Sequence, residues 1–192
     1  MLAWVLTLLR LPIATAFAVT VGLMAPADQC LGWGVVAVLW TLAALAELTD
    51  LLDGWAARRF ATVSELGHLA DPLCDSLARL TMFFSLALSG RLWIGVPLVM
   101  AGLDIVVAYI RVVLAGTGRR TAARISGKVK AVVQGAAVLA VVALAGPWGR
   151  ETGNAQLWRS IVGWLVIATT VWSLIDYVRA GAAAVAEMAR RR

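Results

Sequence analysis

Residues 50–75 read DLLDGWAARRFATVSELGHLADPLCD. Asp50 and Asp53 stand three apart, Asp71 and Asp75 four apart. Either spacing puts both members of a pair on one face of a helix. The chain on both sides is strongly apolar, so the stretch reads as the polar end of a hairpin of two membrane helices. A carboxylate at membrane depth costs several kcal/mol unless it is paired or metallated. Four brought together would also repel one another, and Arg58 is the one base at hand for them, so a cation is expected among them.

Ligation by carboxylates alone, with no His or Cys at ligand spacing, suits a hard divalent ion, Mg²⁺ or Mn²⁺, rather than zinc. Such ions commonly serve phosphate chemistry. Gly54, Ala57 and Gly67 fall one helical turn from Asp50, Asp53 and Asp71, where a large side chain would block a ligand.

The pattern D-x2-D-G-x2-A-R-x8-G-x3-D-x3-D resembles the signature of the CDP-alcohol phosphatidyltransferase family at all eight fixed positions and in its spacer. That resemblance implies a donor, CDP-diacylglycerol, and transfer of its phosphatidyl group to an alcohol with release of CMP. It implies metal ligands at Asp50, Asp53, Asp71 and Asp75, CDP contacts at Asp50, Gly54, Ala57, Arg58 and Gly67, and Asp75 as the catalytic base. It also implies a homodimer. A set of ion pairs that merely holds the bundle together is the bland alternative, and an intramembrane site of a divalent-cation transporter is the alternative of another class. A transporter would spread its acids through the bilayer depth, whereas these lie toward one side.

With 192 residues, 61% hydrophobic content, nine Trp and a mean hydropathy of +0.86, the chain is too apolar for a soluble core of its size. An all-α, polytopic membrane protein is expected, as a single domain over residues 1–192. The net charge of +6 does not argue for nucleic acid, because the bases sit in short segments between apolar stretches. Cys30 and Cys74 share no metal or redox spacing.

Six spans are expected: a short juxtamembrane helical start running into a first span that ends near Met24, then residues 32–59, 65–89, 92–114, 131–148 and 158–179. Ala25-Pro26-Ala27 has the small residues of a signal-peptidase site, but Arg10 interrupts the apolar run before it and no basic segment precedes it. Asp104 and Arg111, seven apart, share a face of the fourth span, either as an ion pair or as part of a site. Residues 119–130 are expected to form a basic loop. Within it, Ser126-Gly127-Lys128-Val129-Lys130, followed by Gln134, resembles a stretch of the phosphatidylglycerophosphate synthases of this family, with Ala131 where they carry Thr.

On that resemblance Arg111, Lys128 and Lys130 would bind a phosphorylated acceptor, glycerol 3-phosphate first. Phosphatidylinositol-phosphate synthesis and CDP-diacylglycerol-dependent cardiolipin synthesis are the alternatives. Six spans place Arg58, residues 119–130 and the Arg190-Arg191-Arg192 tail on one side, opposite Arg91, Arg150 and Arg159. The positive-inside rule makes that side cytoplasmic, in a bacterial inner membrane.

Overall fold

The computed structural model describes the backbone of residues 2–25, 29–60, 65–115 and 125–190, with the side chains of 8–25, 29–49, 52, 72–110, 112, 125–179, 181 and 182. These residues form α1 (Leu2–Met24), α2 (Trp33–Phe60), α3 (Glu65–Leu88), α4 (Gly95–Ala115), α5 (Ile125–Ala145), α6 (Pro147–Glu151) and α7 (Ala155–Arg190), with no strand among them. An apolar chain has little other choice in lipid, since a helix satisfies its backbone hydrogen bonds internally.

Buried positions recur at helical spacing. On α1 they are Ala14, Phe17, Val21 and, just past its end, Ala25; on α2 they are Val36, Leu39, Ala43 and Ala46. Alanines at these contacts let the backbones approach closely, which is how helices associate without a hydrophobic driving force. α1 packs on α2 and α3, α7 packs on α4 and α5, and contacts of α3 with α4 and of α5 with α2 and α3 join the two groups.

The helices alternate in direction. At one end the Leu31 N–H donates to the Ala145 carbonyl at 2.9 Å, and the Arg91 guanidinium donates to the carbonyls of Ala25 (2.9 Å), Gln29 (3.0 Å) and Ser89 (3.2 Å). Gly90, at φ +72°, reverses the chain after α3 and turns Arg91 inward. A buried arginine that ties three carbonyls together is structural. Arg91→Ala should lower stability by about 2–3 kcal/mol, the scale of a charged hydrogen bond left unmade, read as a lower melting temperature in detergent with unchanged KM values. The Trp148 ring packs between Trp33 (4.9 Å) and Trp40 (5.2 Å) at this end, and Trp93 meets Trp164 at 5.8 Å. Such a cluster fits an aromatic belt at a membrane interface.

Many outward-facing residues are large and apolar, including Leu23, Leu88, Ile105 and Val132. Ile125–Ala145 and Ala155–Arg179 are long and apolar enough to cross a membrane, while the apolar runs Leu8–Met24, Trp33–Thr49 and Gly95–Ile110 are shorter. The run in α2 stops where Asp50 begins the polar stretch.

Several boundaries differ from the sequence expectation. α1 is not among them: it is unbroken from Leu2 through Pro12 to Met24, its start running directly into the first apolar run. α5 starts at Ile125, which makes Lys128 and Lys130 helical rather than part of a loop; lysine is a good helix former and does not end a helix by its charge. α7 continues to Arg190 through the alanine-rich residues 180–187. A short helix, α6, occupies what reads as loop, with Pro147 in its first turn. Residues 26–28, 61–64 and 116–124, with Thr62, Ser64 and the bases Arg119, Arg120 and Arg124, lie outside the described residues, as do Arg191 and Arg192. Cys30 and Cys74 form no disulfide.

Candidate active site

The end opposite the tryptophan cluster gathers the polar side chains. It is built from the N-terminal halves of α1, α3 and α5 and the C-terminal halves of α2, α4 and α7. Asp50, Asp53, Gly54, Ala57 and Arg58 lie on α2, and Gly67, Asp71 and Asp75 on α3. Both segments are helical through these positions, so the three- and four-residue spacings hold on real helices. Of this set only Asp75 belongs to the described side chains; those of the other seven lie outside them. Among the described residues no three His, Cys, Asp or Glu side chains gather as metal ligands.

Asp75, itself partly exposed, is the hub of a charge network whose two arginines are buried. Arg10 of α1, 3% exposed, donates through Nη1 to Asp75 Oδ1 and through Nε to Thr49 Oγ1, both at 3.5 Å. Thr49 immediately precedes Asp50, so one guanidinium bridges the neighbour of the first motif aspartate to the last one. Arg79, one turn after Asp75, donates through Nη1 to Asp75 Oδ2 at 2.5 Å. Through Nε and Nη2 it reaches Glu47 Oε1 and Oε2 of α2, each at 3.4 Å. The expectation that Arg58 is the one base at hand is therefore corrected: Arg10 and Arg79 both face Asp75. The i, i+4 relation of Asp75 and Arg79 was visible in the sequence; the approach of Arg10, 65 residues away, was not.

Asp75 also opens onto a cavity of about 80 Å³ between α3, α5 and α7, lined by Arg79, Lys130, Gln134, Ser173 and Tyr177 among others. Lys130 is ion-paired with Asp104 of α4, which gives Asp104 a partner other than the Arg111 considered from spacing. The Arg111 side chain lies outside the described residues, one turn after the cavity-lining Val107. Lys128 is exposed and does not line the cavity. Gln134, 1% exposed, donates to Thr170 Oγ1 at 3.3 Å, and Ser126 donates to Asp176 Oδ2 at 2.6 Å. Ser173, Asp176 and Tyr177 were missed in the sequence because α7 carries no motif; their spacing of three and four along one face is the only signal there.

What this arrangement can do chemically is hold an anion and a hydroxyl next to a carboxylate, with a cation on the far wall. Over 139 residues, 70% of this chain and 72% of the relative, the protein is 26% identical to a CDP-diacylglycerol--glycerol-3-phosphate 3-phosphatidyltransferase of Haemophilus influenzae. A protein of the same name from Yersinia pestis is 27% identical over 150 residues, covering 76% of this chain and 78% of the relative. One from Bacillus subtilis is 36% identical over 103 residues, about half of each chain. The family model described as CDP-alcohol phosphatidyltransferase matches residues 1–172, a span that takes in α1 to α6 and the first half of α7, and with them Asp75, its two arginines and Lys130, while Ser173 and Tyr177 of the cavity wall fall just beyond it. The chain belongs to the CDP-alcohol phosphatidyltransferase family.

Proposed function

We propose that the protein transfers the phosphatidyl group of CDP-diacylglycerol to glycerol 3-phosphate and releases CMP, the activity named for its relatives. The observation that carries the reading is the cavity that joins Asp75, the last acid of the motif, to Lys130 of the basic segment. A phosphorylated alcohol whose phosphate meets the Lys130 ammonium would present its hydroxyl to Asp75. Asp75 takes the hydroxyl proton as the oxygen attacks the phosphorus that bears diacylglycerol, and the bond from that phosphorus to the CMP oxygen breaks.

Members of the family are generally dependent on a divalent metal. The donor set suits Mg²⁺ or Mn²⁺: Asp50, Asp53, Asp71 and Asp75 would hold it, on helices α2 and α3 that both pack on α1. The ion would offset the charge that develops on the leaving CMP. Gly54, Ala57 and Gly67, with little or no side chain, would leave room beside these aspartates for the nucleotide, and Arg58 would lie near its phosphates. Six helices, all but α6, would cross the bilayer, with this end on the cytoplasmic side of the inner membrane by the positive-inside rule. Donor acyl chains would then remain in lipid.

Acceptor choice is tested by giving purified protein CDP-diacylglycerol, Mg²⁺ and a panel of radiolabelled alcohols. Glycerol 3-phosphate should be the acceptor used, ahead of inositol phosphate and phosphatidylglycerol. Lys130→Ala should raise the KM for glycerol 3-phosphate about tenfold or more, the loss of one charge-assisted contact to phosphate. It should leave the KM for CDP-diacylglycerol within about twofold. Lys128→Ala, on the exposed face, should change the acceptor KM far less. An unchanged acceptor KM in Lys130→Ala would remove this cavity as the acceptor site.

A further inference from the structure

Asp75 is one carboxylate among several, and the residues that fix its side chain belong partly to helices outside its own motif half. Arg79 is buried on α3 and is gripped along two edges: one nitrogen meets Asp75, the other two face Glu47. Glu47 stands on α2, nearly one turn before Asp50, and its carboxyl group lies directly over the α-carbon of Gly135 on α5. A methyl group at that glycine would come within 2.9 Å of Glu47 Cδ and Oε1. Three helices therefore meet at the Glu47 carboxyl group, and a side chain as small as alanine at 135 would displace it.

We propose that Glu47 and Arg79 are positioning residues for the transfer reaction: Glu47 locks the Arg79 guanidinium, which in turn fixes the Asp75 carboxylate at the mouth of the cavity. The inference rests on the reading of Asp75 as the proton acceptor. An unanchored arginine has many rotamers and could hold a carboxylate in several places, whereas a planar fork held on one edge presents its remaining nitrogen in a single direction. Both Glu47 contacts, at 3.4 Å, are long for hydrogen bonds, so charge and shape carry the lock more than bond strength does. A proton acceptor needs that constraint, because a misplacement of about 1 Å at a reacting group can cost about 10²-fold in rate.

Gly135→Ala is the informative variant. It alters no charge, alanine is the better helix former, and the atoms it would strike are the far end of a flexible side chain, so the helix can stay while Glu47 moves. The full-length protein in lipid nanodiscs, with CDP-diacylglycerol and glycerol 3-phosphate as substrates, would be assayed as Glu47→Gln, Gly135→Ala and Arg79→Lys, each alone and on an Asp75→Asn background. The expected result is a kcat lowered about tenfold in each single variant, by misplacement of the base. Both KM values should stay within about twofold and melting temperatures should stay near wild type. On the Asp75→Asn background the same substitutions should lower the residual rate no further. Wild-type kcat in Glu47→Gln and Gly135→Ala, with Asp75→Asn inactive, would overturn the inference and leave the proposed reaction standing. A raised acceptor KM at unchanged kcat would overturn it by making Arg79 a direct ligand, and activity that falls only in step with melting temperature would reduce the network to a structural one. A fully active Asp75→Asn would instead overturn the reading beneath it.

Discussion

Asp75→Asn is expected to lower kcat by about 10²–10⁴-fold, the range supplied by a positioned proton acceptor, while the KM for CDP-diacylglycerol changes little. Asparagine has nearly the same shape and keeps an acceptor oxygen, but it cannot take a proton from the acceptor hydroxyl. Some loss of stability is expected with it, since Arg10 and Arg79 are both buried and lose a charged partner. Glu47 remains to hold Arg79, so the variant should still fold, and its melting temperature separates the two effects. If metal and donor affinity fall as far as turnover does, Asp75 acts as a ligand alone and another group takes the proton.

Removal of divalent metal should have an effect at least as large. An ion that offsets charge on the departing phosphate contributes several kcal/mol, and each ~1.4 kcal/mol is a factor of ten in rate. A chelator should therefore reduce phosphatidyl transfer by about 10³-fold. Mg²⁺ or Mn²⁺ should restore it, and Ca²⁺, larger and less strict in its geometry, should not. Asp50→Ala, Asp53→Ala and Asp71→Ala should each raise the metal concentration needed for half-maximal rate. Metal-independent transfer would contradict the assignment of these aspartates as ligands.

The helical architecture was legible because lipid leaves an apolar chain few options, and the motif was legible because its residues are close in sequence. α2 and α3 fall almost where the apolar runs and the Glu65 start place them. What could not be read were meetings between helices far apart in the chain. Arg10 reads only as an interruption of the first apolar run, yet it is buried against Thr49 and Asp75. Asp104 has Arg111 as its obvious neighbour on one face, yet Lys130 reaches it from α5. Helix ends marked only by charge were misplaced for the same reason: lysines at 128 and 130 suggest water, but inside the bundle Lys130 is neutralised by Asp104 and α5 continues through it. Ser173 and Tyr177 carry no mark beyond their shared face, and Glu47 shows in the sequence only as an acid in an apolar helix; their partners appear when α2, α3, α5 and α7 are brought together.

The central claim is that the two halves of the motif, on α2 and α3, serve one metal-containing site. Its most direct test is the affinity for Mn²⁺ measured by electron paramagnetic resonance on the purified protein with CDP-diacylglycerol present. Asp50→Ala and Asp53→Ala on α2 should weaken binding by about the same large factor as Asp71→Ala on α3, with Lys128→Ala unchanged. Wild-type Mn²⁺ affinity in the α2 variants, alongside its loss in the α3 variant, would contradict the claim.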